Sequence, residues 1–190
     1  MRGSDGTAIP APLDPIAEAR AYIGIETEWR TAADRVERGA IRRFAQASMD
    51  EDPVFFAESD GNARYGGPVA PHLFPMFMFV RPFGSADPLS ERALDPDFDG
   101  TGALSTQGLP DITPLAGLSV LNGGSEVEFF SFATLGEEVK VRSKYADIYR
   151  KETSKGPLIF VILESEYCTL EGRPIANVRR TQIRRERPNR

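Results

Sequence analysis

The chain predicts an α+β domain, a curled antiparallel sheet laid over one short apolar helix. Three observations predict it. Ala70–Val80 is almost wholly apolar over a helical length, with carboxylates and the paired glycines Gly66 and Gly67 shortly before it. From Leu118 onward the hydrophobic period changes from helical to two, in four consecutive segments. Short polar or glycine-bearing links join those segments as hairpin turns would.

At 190 residues the chain can form one domain with a real core. Its content, 41% hydrophobic and 27% charged, is that of an ordinary soluble domain. A formal net charge of -5 disfavours nonspecific nucleic-acid binding. Cys168 is the single cysteine, which excludes an internal disulfide and a cysteine-ligated cluster. His72 is the single histidine, so no His-rich metal site forms within one chain and no metal is expected. No apolar run reaches the roughly 18–20 residues that span a bilayer. The first residues lack the apolar stretch of a signal peptide, and the cytoplasm is the expected address.

Taken in order, Met1–Pro15 reads as an unpacked lead-in. Ile16, Ala19 and Ile23 then sit at helical spacing. Glu28–Val36 fits a strand weakly. Glu37–Ser48 is a helix, with Ile41, Phe44, Ala45 and Ser48 on one face and Arg42, Arg43 and Gln46 on the other. Asp52-Pro53 is expected to stop it. In Ala70–Val80, Pro71 suits a first helical position, but Pro75 lacks an amide and crowds the preceding turn. The helix therefore begins late or is kinked. Gly84–Gly117, rich in Gly, Pro and acidic residues, reads as a lid-like insertion or a mobile excursion.

The strands follow. Glu126–Phe129 alternates, as do Val139, Val141, Ser143 and Tyr145 against Lys140, Arg142 and Lys144. Leu158–Leu163 is a continuous apolar run, expected of a strand buried on both faces. Ile175–Ile183 is the last strand. Leu135-Gly136-Glu137, Lys151–Gly156 and Glu171-Gly172 are read as hairpin connections. One helix leaves part of such a sheet and its edge uncovered, which an oligomer would cover, as a homodimer or a pseudo-symmetric heterodimer.

Three stretches in this order resemble the hot-dog fold of MaoC-like hydratases and dehydratases, over roughly Trp29 to Arg185. Phe44-Ala45 followed by Asp50-Glu51-Asp52-Pro53 resembles the family's Asp-x-Asn-Pro-x-His turn. Gly66-Gly67-Pro68-Val69-Ala70-Pro71 resembles the approach to its central helix. Leu121–Phe129 with Leu135–Val139 resembles the strand-and-turn pair of the N-terminal, fatty-acid-synthase-type dehydratase half. The resemblance implies a single domain at 28–187, an N-terminal extension at 1–27, an insertion at about 84–117 and a tail at 188–190.

The resemblance also implies chemistry: reversible addition of water to a 2-enoyl-CoA, with Asp and His moving the protons and no cofactor beyond the acyl-CoA substrate. Here Phe55 falls where the catalytic histidine belongs, and a phenyl ring exchanges no protons. Pro71 has no amide to offer near the helix start, where the family polarises the thioester carbonyl. The chain therefore resembles the non-catalytic subunit of a heteromeric hydratase in lipid metabolism. Such a subunit binds the acyl group while a second hot-dog subunit supplies Asp and His. The alternatives are a self-sufficient hydratase or acyl-CoA thioesterase using Asp50 and His72, and a non-enzymatic acyl-thioester-binding module.

The candidate site residues carry plainer readings beside these. Asp50 orients water or caps a turn. His72 replaces the missing base or is a polar residue at a helix start. Phe74 and Met78 wall an acyl group or fill the core. Phe55, Phe56 and Tyr65 line a tunnel or pack the loop. Asn122, Gly123 and Gly124 allow a ligand close to the backbone or form a bulge. The arginines from Arg179 to Arg187 bind CoA phosphates or protect an edge strand.

Overall fold

The computed structural model describes residues 15–56, 64–79, 84, 87–96, 108–154 and 156–186. In chain order the elements are α1 (Pro15–Ala19), β1 (Arg30–Thr31), α2 (Arg38–Ala47), α3 (Phe74–Phe77), α4 (Pro88–Arg92), β2 (Ser119–Phe129), β3 (Val139–Lys151), β4 (Leu158–Thr169) and β5 (Pro174–Arg185). The strands form one five-stranded antiparallel sheet in the order β1-β3-β4-β5-β2.

Two expected hairpins, β3–β4 and β4–β5, are present. The third is not. β2 pairs with β5 at the far edge, so Leu135-Gly136-Glu137 belongs to a crossing link rather than a hairpin. That link is held from outside the sheet: the Gly136 amide donates to Val36 O at 2.8 Å and the Leu135 amide to Pro68 O at 3.2 Å. Local turn chemistry at Gly136 is hairpin-like, but the partner strand is chosen by packing over longer range.

The predicted 70–80 helix is reduced to the single turn of α3, with Pro75 in its first turn. Val80 lies outside the described residues. The cause is the one visible in sequence: proline removes an intrahelical donor and is tolerated only at a helix start. The weak strand expected over Glu28–Val36 pairs only at Arg30 and Thr31.

One sheet face is the core face, and two clusters cover it. The first gathers Ile41 and Ala45 of α2, Val69, Ala70 and Phe74, and Val141, Tyr167 and Val178 of the sheet. The α2 face is as the spacing predicts, except that Ser48 is exposed. Its hydroxyl donates instead to the carbonyl of Phe44 at 3.0 Å. The second cluster joins Ile16 and Ala19 of α1, Leu109, Ile112 and Leu115, and Tyr145, Val161 and Leu163 of the sheet.

The second cluster draws on both the N-terminal segment and the end of the 84–117 segment: Ile16 is buried and Leu115 is fully buried. Their apolar side chains cover the half of the sheet that α2 and α3 do not reach. β5 is also an interior strand, not a charge-protected edge. Arg184 is buried, and its Nε has no hydrogen-bond partner among the described residues. Arg187 lies outside the described residues.

Among the described residues, no helix is long and apolar enough to cross a membrane.

Candidate functional site

The acid-rich turn is built by its own carboxylates. After α2, Met49 takes a left-handed φ of 55° and the Asp50 amide donates to Ala45 O at 2.9 Å. Asp50 Oδ1 then accepts from the Asp52 amide at 3.2 Å, and Asp52 Oδ1 accepts from the Val54 amide at 2.9 Å. Both carboxylates thus cap successive Asx-type turns and launch the single 3-10 turn Pro53–Phe55. That turn points Phe55 into the first core cluster, where it is 7% exposed. The phenyl ring that the sequence resemblance sets at the histidine position is packed as core. Phe56 is its half-exposed neighbour, edge-on with ring centroids 6.5 Å apart.

A separate cleft of about 510 Å³ lies where the approach to α3 meets the end of β2. His72, Tyr65, Phe129 and Phe132 form its aromatic lining. The His72 ring sits 4.7 Å from that of Phe129 and 4.0 Å from that of Phe132, while Tyr65 packs edge-on to Phe132 at 5.3 Å. His72 stays exposed, and the partial desolvation of its ring against these neighbours lowers its pKa below the ordinary value. The backbone here is anchored: the Ala70 amide donates to Ala133 O at 2.8 Å.

The polar rim holds two arginines in different states. Arg173 is tied down, donating to both carboxylate oxygens of Glu137 at 2.6 Å, to Phe132 O at 2.9 Å and to Ser131 Oγ. Arg64 lies over the Tyr65 ring, 5.3 Å from its centroid.

Of the sequence candidates, Tyr65 and His72 line this cleft; Asp50 is not among its lining residues. Phe74 and Met78 are buried in the first core cluster. Asn122, Gly123 and Gly124 form a bulge in β2, where Asn122 Oδ1 accepts from the Gly124 amide at 2.9 Å. Phe129, Phe132, Glu137 and Arg173 were missed by sequence reasoning. The aromatic run Phe129-Phe130-Ser131-Phe132 at a strand end was the available signal.

An antiparallel sheet cradling α2, the 69–78 segment and this cleft defines the hot-dog class of fold. The chain belongs to the family of the FAS1-like dehydratase domain region, whose family model matches residues 21–178. No curated protein sequence matches it. Among solved structures it is similar to the ChsH1-ChsH2 complex from Mycobacterium tuberculosis, with 18% identity, a TM-score of 0.65, 93% of this chain covered and 92% of that one. It is also similar to a MaoC-like dehydratase from Rhodospirillum rubrum (20% identity, TM-score 0.50, 85% of this chain and 93% of that one). The HadBC (3R-hydroxyacyl-ACP dehydratase) complex from Mycobacterium tuberculosis is a third (15% identity, TM-score 0.50, 82% of this chain and 94% of that one).

Proposed function

We propose that this chain is a subunit of an acyl-CoA hydratase or dehydratase, adding water reversibly to a 2-enoyl thioester. It binds the thioester, and a second hot-dog subunit carries the Asp and His that move the protons. The observation that carries the reading is the burial of Phe55, the residue that the sequence resemblance sets at the family's histidine position: it is 7% exposed in the core. Asp50, the aspartate of the same turn, has its carboxylate engaged by the Asp52 amide.

The cleft supports the binding half of the reading. An aromatic floor takes a flat or apolar group, and Arg64 at the rim offers a guanidinium to phosphate. The sheet supports the partner half. β2 is an edge strand of 11 residues ending at Phe129 (40% exposed), with Phe130 (47% exposed) next to it, beside the cleft. A long edge with exposed aromatics favours a pairing subunit. Complexes of two named subunits among the structural relatives, ChsH1-ChsH2 and HadBC, point the same way. The assembly is a heterodimer or heterotetramer, a homodimer being the alternative.

The test is to assay 2-enoyl-CoA hydration by the chain alone and co-expressed with a MaoC-like subunit bearing Asp and His. Turnover is expected only with the partner. Turnover by the chain alone, lost in Asp50→Asn or His72→Ala, overturns the division of labour; release of free CoA would make it a thioesterase.

A further inference from the structure

The sheet face turned away from the core is laid out in rows that cross the strands in the order β3, β4, β5, β2. One row is apolar: Tyr149 pairs with Phe160, Phe160 with Ile183, and Ile183 with Leu121. The Tyr149 and Phe160 rings stack face to face, 4° from parallel with centroids 5.0 Å apart, and the Lys151 ammonium lies 5.5 Å and 5.1 Å from their centroids. A second row reads Lys144, Glu164, Arg179, Glu126, alternating in sign along its whole length. A third reads Arg142, Glu166, Asn177, Glu128. The charged rows border a cleft of about 390 Å³ on this face.

Alternation over an even number of strands has a consequence. Read backwards, the row plus, minus, plus, minus becomes minus, plus, minus, plus. A two-fold axis parallel to the strands, lying over the gap between β4 and β5, performs this reversal. Lys144 then meets Glu126 of a second copy, Glu164 meets its Arg179, and Arg142 meets its Glu128. The same operation sets Phe160 over Ile183 of the second copy and Tyr149 over its Leu121. Strands stay aligned, as in face-to-face sheet packing. A two-fold axis across the strands would instead bring β2 onto β2, juxtaposing Glu126 with Glu126 or Glu128.

We propose that a second copy of this chain docks on the outer sheet face about that axis. The apolar row supplies affinity, and the charged rows supply register and exclude other orientations. The surface is separate from the cleft at His72, and the proposal does not depend on the thioester reading.

Sedimentation equilibrium of the full chain tests it. The wild type is expected to self-associate, more weakly as salt rises. Glu126→Lys and Lys144→Glu should each raise the dissociation constant by about ten-fold or more, and the double variant Glu126→Lys/Lys144→Glu should recover most of the loss. Ile183→Asp should abolish association, with unchanged far-UV circular dichroism showing that the sheet persists. A wild type that stays monomeric overturns the proposal, as does a double variant no better than the singles. So does association that survives both Ile183→Asp and Glu126→Lys, which would place the contact elsewhere, for instance at the free edge of β2. A different protein that binds this face in place of a second copy would overturn it too.

Discussion

The imidazole of His72 packs on the phenyl ring of Phe132, centroids 4.0 Å apart and planes tilted by 41°. The contact joins the approach to α3 to the end of β2, and it sets the electrostatics of the cleft. Partial desolvation of this exposed ring disfavours the imidazolium and lowers the His72 pKa. The unfolded chain then binds more protons than the native one just below the ordinary histidine pKa of about 6.5. Stability from this source is present above that value and is lost as the pH falls through the lowered native pKa. His72→Phe, which keeps a ring in place, should flatten this part of a plot of Tm against pH. An unchanged slope would show that the slope comes from carboxylates.

Phe55 is expected to behave as core. Phe55→Ala should cost about 3–5 kcal/mol in urea unfolding, because it removes a buried ring and leaves a cavity in the first core cluster. Phe55→Leu should cost much less. If Phe55→Ala unfolds like wild type, the ring faces open space and the core assignment fails.

Gly123 has no room for a side chain. A Cβ there would stand 2.7 Å from Thr181 Cγ2 and 3.1 Å from Ile183 Cγ1, both on the adjacent β5. Gly123→Val should lower stability by about 1–3 kcal/mol through strain in the β2–β5 pairing. Hydrogen exchange of the β2 amides reads this directly, and protection equal to wild type would refute it.

Among the described residues, Arg184 is a buried cation without a carboxylate in hydrogen-bonding contact. Its guanidinium donates to Gln182 Oε1 at 3.0 Å while Nε is unpaired, and burial lowers its pKa. The neighbouring Tyr145 phenol, pushed up to about 12 chiefly by burial, stays neutral and donates to Pro110 O at 2.8 Å. An apolar side chain of similar length removes the desolvation cost and leaves no orphaned charge. Arg184→Met should therefore raise stability, by about 1 kcal/mol or more in urea titration. A marked loss instead would mean that the cation has a role in the native state beyond its contact with Gln182.

Asp52→Ala removes the acceptor for the Val54 amide and should cost about 1 kcal/mol, while Asp50→Asn keeps an acceptor for the Asp52 amide and should cost little. Chemical denaturation of the two variants separates the roles. If Asp50→Asn costs as much as Asp52→Ala, Asp50 holds more than a turn.

What the residues determined on their own were features that depend on near neighbours. The α2 face follows from Ile41 and Ala45 one turn apart. The late start of α3 follows from Pro75, and the β3 alternation from a period of two. What only the tertiary structure decided was which distant segments meet. Nothing within β2 says that its partner is β5 rather than β3. Nothing in Pro15–Tyr22 or Leu109–Leu118 says that these stretches close the second half of the core. His72 and Phe129 are far apart along the chain, and they converge because the sheet order places the β2 end beside the approach to α3. Periodicity and proline act over a few residues, whereas strand order and clefts are settled by the burial of apolar surface between segments remote in sequence.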